Sequence, residues 1–431
     1  MHPVGGCSHP PTGQSSDPLA TFRHRAREFA GCFAFRTAQV GGLRTYHSPV
    51  ALCSGGCDAG SCCIKSLDGC YLCPALVVFP AMSAGPAVIL DNRRGNSPHI
   101  ASSATVVGSA RMGLDAGLAE GAVARSIGGA LEIGGGTHVL ENSVIVGYPE
   151  APTVVGRRST FGHRCMVIGA TVGDLCEIGN ASVLMPGARL GDRVFLGEGT
   201  VVPKGAILPS DVVAVGRPAR IIRAASTEDL DRLSALRDGD LSVPAASSVV
   251  VQPIQGVISM GQLYAYRGIV PTVAATAVVF PTAEITGDVV IGERSIIGAG
   301  VKIIGDSHGP VRIGSDVQIL ENTVLHLLPD NELVIDDGVT VGPGAMIHGC
   351  HIGAGSVIEP GAIVCDGSVV GSESVVRAGA VVKQRSVFAG RSEIDGFPAI
   401  AVGRVSGQIR TPNWALRPGD LPDMTSQASD R

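Results

Sequence analysis

Residues 172–202 read VGDLCEIGNASVLMPGARLGDRVFLGEGTVV, and in that run an aliphatic side chain returns at every sixth position: Val172, Ile178, Leu184, Leu190, Leu196 and Val202. Gly, Glu or Asp commonly follows, and four positions on stands a small residue such as Cys176, Ser182, Ala188 or Thr200. A chain that turns a corner every six residues explains the pattern. Each short strand points one aliphatic inward, the small residue fits the crowded corner, and Gly is frequent at the turns because positive φ costs it nothing. Such a repeat is a parallel β-helix. Upstream the series runs Ile100, Val106, Met112, Leu118, then Ile133, Val139, Ile145, then Val155, Phe161, Val167, with a five-residue step to Val172.

The series then returns from Val279 through Ile285, Ile291, Ile297, Ile303, Ile313, Ile319, Leu325, Ile335, Val341, Ile347, Ile352 and Ile358 to Val382. From Ile133 to Pro218 the second copy sits at a constant offset of 180 residues, as in Ile133/Ile313, Val202/Val382 and Pro218/Pro398. The chain is a tandem duplication. The expected organisation is an N-terminal extension (1–94), a first β-helix (95–223), a helix and linker (224–265), a second β-helix (266–403) and a C-terminal tail (404–431). A helix is expected over Thr227–Arg237, with Ser226 or Thr227 as its N-cap.

Composition agrees. The 431 residues hold 59 Gly and 27 Pro without a Gly-X-Y register, which excludes collagen. A hydrophobic content of 45% with a net charge of −5 excludes a disordered chain. Only 4% is aromatic, with a single tryptophan, Trp414, so the core is filled by aliphatics. The charge balance gives no drive towards nucleic acid.

The first 94 residues are different. Cys53, Cys57, Cys70 and Cys73 have metal-like spacing, and zinc ligation, disulfides and free thiols stand as alternatives for this Cys-rich stretch. The apolar run Tyr71–Leu90 is long enough to cross a bilayer but carries Pro74, Pro80 and Pro86, which reads as extended loop or strand. Arg23, Arg25, Arg27, Arg36 and Arg44 against Glu28 have the balance of a mitochondrial targeting segment, and Leu19–Phe33 also fits a short amphipathic helix. Cys165 and Cys176 fall on the small corner position, where packing explains them.

Three stretches go beyond generic repeats. Copy two has Tyr266-Arg267-Gly268, then Gly287-Asp288-Val289-Val290-Ile291-Gly292, then Ile319-Leu320-Glu321-Asn322-Thr323-Val324-Leu325-His326 and Ile347-His348-Gly349-Cys350. Copy one matches through Leu140-Glu141-Asn142-Ser143-Val144-Ile145 and Phe161-Gly162-His163. In order and spacing these resemble the γ-class carbonic anhydrases. The resemblance implies an all-β fold of two tandem left-handed parallel β-helices with short flanking helices. It also implies a three-domain ring with Zn²⁺ between neighbouring domains, two histidines from one and a third from the next.

Carried over by residue, copy two keeps the pair His326 and His348 but has Pro343 at the third position. Copy one keeps the third, His163, but has Val146 and Ile168 at the pair. The resemblance therefore implies that one composite zinc site of His163, His326 and His348 can form between copies. The supporting Arg-x-Asp is split likewise: Arg125 in copy one, Asp306 in copy two, positioned to pair across an interface. The family's water-positioning Gln is Leu140 and Leu320 here, and the adjacent acid is Glu141 and Glu321, so Glu321, Arg125 and Asp306 are the candidate catalytic residues. Two β-helices are two thirds of a ring, and another γ-carbonic-anhydrase-like chain is the expected partner. The basic stretch Phe22–Arg36 resembles the helix that precedes the repeats in γ-carbonic-anhydrase-like subunits of mitochondrial respiratory complex I. The expected role is a mainly structural accessory subunit on the matrix side of the inner membrane, peripheral to it and contacting the complex's membrane subunits. The alternatives are an active zinc carbonic anhydrase and, behind it, a hexapeptide acyltransferase.

Overall fold

In the computed structural model, residues 97–243, 245, 247–251, 261–306, 309–417 and 420 are described. The expectations for the Cys-rich extension, the Leu19–Phe33 helix and the Tyr71–Leu90 run lie outside them. Val88–Arg431 forms one unit that contains both β-helices.

Each copy is a left-handed three-sided prism of stacked parallel strands, and its sides are labelled A, B and C in the cyclic order of the chain. In copy one, face A runs from Thr105–Val107 through Val123–Ser126, Val144–Gly147, Met166–Ile168 and Val183–Leu184 to Val201–Val202. Face B runs from Ala110–Gly113 to Ile207–Leu208, and face C from His99–Ile100 to Val212–Val215. Copy two repeats the pattern: A′ from Gln262–Tyr264 to Val381–Val382, B′ from Thr272–Val273 to Val387–Phe388, and C′ from Val278–Val279 to Ser392–Gly396. Strand partners preserve the repeat, so Ile145 sits over Ala124 and under Val167, and Leu325 over Ile303 and under Ile347.

The inward aliphatics predicted from the six-residue period form two separate cores, one per prism, with Ile133, Ile145, Leu184, Ile285, Ile347 and Val382 all fully buried. Stacked hydroxyls and thiols line the corners. Ser143 Oγ accepts from Cys165 N at 2.9 Å and donates to Gly162 O at 2.8 Å, and Ser159 links Cys176 N to Gly173 O in the same way. Cys165 continues the column by donating to Gly179 O at 3.3 Å. Burial pushes the thiols of Cys165 and Cys176 up to about 12, so they pack as small neutral donors.

Among the described residues there is one helix, α1 (Thr227–Ala235). It starts as expected at Ser226, whose side chain accepts from Asp229 N while the Asp229 carboxylate accepts from Ser226 N, a reciprocal capping box. It ends before the expected Arg237, which instead folds back to donate to Arg158 O and Glu177 Oε1. The linker is not free either. Its strand Ser248–Val251 pairs antiparallel with Ala110–Gly113 and so returns the chain to the first rungs of copy one, where copy two begins.

Because each inward aliphatic fills a closed prism, Ile347→Ala should destabilise by about 2–5 kcal/mol in urea unfolding. Ile207→Ala, at a residue 70% exposed, should stay within about 0.5 kcal/mol.

Candidate functional site

The two prisms lie side by side. The outward side chains of face A, Val123, Val144, Met166, Val183 and Val201, are all buried. They share one apolar cluster with Phe280, Ile296, Ala299, Leu320, Val357 and Ala378 from face C′ and its next corner. The contacts advance together along both copies. A Cβ on Gly344 would fall 2.1 Å from Met166 Cε, one on Gly361 3.0 Å from Val183 Cγ2, and one on Gly379 2.9 Å from Val201 Cγ2. The prisms therefore run parallel. Gly344, at φ +66°, meets both the turn's demand and this close approach. The tail completes the seam: Trp414, Ala415 and Leu416 are buried in the same cluster, and Gln318 exchanges two hydrogen bonds with the Leu416 backbone.

Within this apolar seam, on the second strand of face A, is an ion pair between copies. Arg125 and Glu321 have side chains 0% and 2% exposed, with Nε 2.6 Å from Oε1, and Arg125 Nη2 also donates to Trp414 O at 2.8 Å. Arg125 thus pairs with Glu321, not with Asp306, the partner expected from sequence. Asp306 follows strand Lys302–Gly305 on face A′, outside the seam. Asn322 adds a donor bond to Gly121 O at 2.8 Å across the same seam.

This contact decides which candidate ligands meet. Arg125 lies one strand before Val146 in the ladder, and Glu321 one rung before Pro343. The Arg125–Glu321 pair therefore sets Val146 and Ile168 on the seam opposite the corner that carries Pro343; all three are buried and none offers a metal a lone pair. The retained histidines sit elsewhere. His326 and His348 stand together at the outer corner of A′, their rings perpendicular with centroids 6.1 Å apart. His348 Nδ1 is buried without a hydrogen-bond partner among the described residues, 3.5 Å from Asp366 Oδ2. His163 lies at the corner between faces C and A of copy one, half exposed, with Nδ1 2.7 Å from Glu141 Oε2. No group of three His, Cys, Asp or Glu able to hold a metal ion occurs among the described residues. Within this chain His163 does not join His326 and His348.

A sequence-level signal for the seam was present in Trp414-Ala415-Leu416, an apolar triplet in an otherwise polar tail that holds the one tryptophan. A cavity of about 910 Å³ opens at one end of the seam, lined by Tyr148, Lys204, Arg217, Glu359, Arg377 and Trp414 among others, with no histidine.

Residues 152–186 and 348–384 match the family described as the hexapeptide repeat of succinyl-transferase. A carbonic anhydrase of Geobacillus kaustophilus (strain HTA426) is 41% identical over 100 residues, 23% of this chain and 54% of that protein. Gamma carbonic anhydrase 1, mitochondrial, of Arabidopsis thaliana is 36% identical over 141 residues, 31% of this chain and 51% of that protein. The chain is a γ-carbonic-anhydrase-like hexapeptide-repeat protein. Carnitine operon protein CaiE of Escherichia coli O157:H7 is 34% identical over 95 residues, 22% of this γ-carbonic-anhydrase-like chain and 48% of the relative. The chain spans about half the length of the curated relatives it matches.

Two outcomes follow for this γ-carbonic-anhydrase-like chain. Arg125→Ala leaves Glu321 buried and unpaired, and should cost about 3–5 kcal/mol in chemical denaturation. Replacing both partners by methionine should recover most of that loss, because an apolar pair suits the surrounding cluster. Maleimide labelling of the folded protein at pH 8, read by peptide mapping, should modify Cys365 well before Cys165, Cys176 or Cys350. Burial raises all four thiols, but only Cys365 is partly open to solvent.

Proposed function

We propose that the chain is a scaffold that contributes two of the three β-helices of a heteromeric γ-carbonic-anhydrase-like ring, closed by a β-helix of another chain. The observation that carries this reading is the division of the histidines. Of the six candidate ligand positions, the seam between the copies encloses Val146, Ile168 and Pro343, and the three retained histidines lie outside it. The composite site then takes a divided form. His326 and His348 supply two donors on one side of the gap, His163 supplies one on the other, and a third β-helix would add the missing histidine to the first and a pair to the second.

The donor chemistry fits Zn²⁺ as half-sites. Zinc sites use at least three protein ligands, so neither half is sufficient alone. The buried, unpartnered Nδ1 of His348 and the carboxylate-backed ring of His163 are the atoms of this chain suited to such a role. Zinc there would supply an acidified bound water for CO₂ hydration. This chain's own part would be to hold the two imidazoles, with Asp366 beside His348 and Glu141 orienting His163. Glu321 and Arg125 are committed to each other inside the seam, which favours a structural over a catalytic role for them. Residual carbonic anhydrase activity at the open half-sites is the second reading, favoured by the His163–Glu141 contact.

The mitochondrial relative in Arabidopsis supports a mitochondrial location, and the N-terminal resemblance to complex I subunits supports attachment on the matrix side of the inner membrane. On a native gel of solubilised mitochondrial membranes the chain should migrate with respiratory complex I; migration as a free 43.9 kDa protein would sink this assignment. Elemental analysis of the isolated assembly should find zinc, reduced by His348→Ala. A metal-free assembly would leave the scaffold reading standing and remove the zinc.

A further inference from the structure

Both prisms close in the same way and at the same end. After the last rung of copy one, strand Arg220–Ala224 pairs antiparallel with Val212–Val215; in copy two Ala399–Arg404 pairs antiparallel with Ser392–Gly396. The two hairpins meet across the seam. Arg217 donates to Gly379 O, and its guanidinium carbon lies 5.5 Å from the centre of the Phe397 ring. The two caps therefore form one end of the paired prisms.

The closing strands bury little. Every residue of Arg220–Ala224 is exposed, Ile221 and Ile222 included, and in the second cap Phe397, Ile400 and Val402 are 72%, 62% and 55% exposed. Ala214 and Ile394, fully buried, already fill the last inward positions, so the prism cores make no use of these outer apolar side chains.

The charge at this end is one-sided. Lys204, Arg220, Lys383, Arg385, Arg404 and Arg410 are exposed and make no ion pair among the described residues. Of the nearby carboxylates, Asp211 is held by Arg193 and Glu393 by Arg377, which leaves Asp395. Lys204 and Arg410 stand with Arg217 on the wall of the seam cavity, so the positive field spans both caps of a chain whose net charge is −5. The opposite end also exposes apolar side chains, Ile269 and Val270 among them. There, however, Asp115, Glu120, Glu132 and Glu293 outnumber Arg111 and Arg267 among the groups without an ion-pair partner in the described residues.

We propose that the two caps form a docking face for a membrane surface bearing anionic phospholipid headgroups. The arginines and lysines meet the phosphates, and the isoleucine, valine and phenylalanine side chains between them enter the headgroup boundary; interfacial binding draws on both. An acidic protein could satisfy the charges, but it would need a continuous apolar surface to pack against. Here the apolar side chains are carried singly or in pairs on strands bounded by Arg220, Arg223 and Arg404. The proposal deepens the peripheral membrane attachment read above by naming its surface, and it does not depend on the ring.

The test is co-sedimentation of the full chain with lipid vesicles. Phosphatidylcholine vesicles carrying roughly one quarter phosphatidylglycerol should bind it at low salt, progressively less as salt rises, and phosphatidylcholine alone should not. Arg220→Glu combined with Arg404→Glu should lower the partition coefficient at least about tenfold, since each basic side chain at an anionic surface contributes about fivefold. Arg111→Glu with Arg267→Glu, at the opposite end, should leave it unchanged. All four side chains are exposed, so the thermal midpoints should stay unchanged in both variants. Phe397→Trp adds a local reporter, because the native Trp414 is buried in the seam. Its emission should shift to the blue on the mixed vesicles and be quenched by brominated acyl chains. Undiminished binding by the Arg220/Arg404 variant, an equal loss in the opposite-end variant, or unchanged emission from position 397 would overturn the proposal and move lipid contact elsewhere, the stretch Phe22–Arg36 included. Absence of vesicle binding would also overturn it, and an acidic protein held through the caps would then be their occupant. In each of these cases co-migration with respiratory complex I would keep the attachment reading, and its failure would remove that reading separately.

Discussion

A guanidinium and a carboxylate, both taken out of water between two apolar faces, tolerate one relative position of those faces. Sliding the prisms by a rung would strand Arg125 and Glu321 against valine or leucine, at a penalty far above the small differences in apolar contact between registers. The pair is therefore better understood as fixing alignment than as supplying net stability. The rest of the seam depends on it: the approach of Gly344 to Met166, the Asn322 bridge, and the burial of Trp414 against the Arg125 side chain. The same alignment decides which corners of the two copies face each other, and hence where the retained histidines are left.

Much of the architecture was legible in the sequence because a β-helix writes its geometry locally. One aliphatic per strand and one small residue per corner are demands of a single rung, repeated, so Ile133, Ile145, Ile313 and Leu325 could be assigned inward without any tertiary knowledge. Even the thiols of Cys165 and Cys176 followed from their corner position. The boundary of α1 was legible to within a few residues, because its capping box is written in neighbouring side chains.

The mutual placement of the two copies was not legible. It rests on outward residues, where Val144 in copy one and Val324 in copy two look alike and only one is buried. The complementary losses of Val146, Ile168 and Pro343 fit either of two ring orders as a pattern of letters. The contacts of face A with C′, Arg125 with Glu321 among them, separate them. The sequence suggested Asp306 as the arginine's partner because the two belong to one short motif. Arg125, however, stands on face A, which the second prism covers, and Asp306 follows a strand of face A′, which it leaves open. The tail (404–431) carried no assignment to a face, although Trp414 and Leu416 fill the seam.

The linker has a consequence for how an assembly is born. By returning antiparallel along face B to the first rungs of copy one, Ser248–Val251 delivers copy two to the correct end of its neighbour before any second chain is met. Two of the three bodies of a ring would then find each other at the high effective concentration of a short tether, independent of how much protein the cell makes. On the ring proposed above, what would remain is a two-body encounter, first order in each participant. The number of chains the cell must supply in balance would fall from three to two.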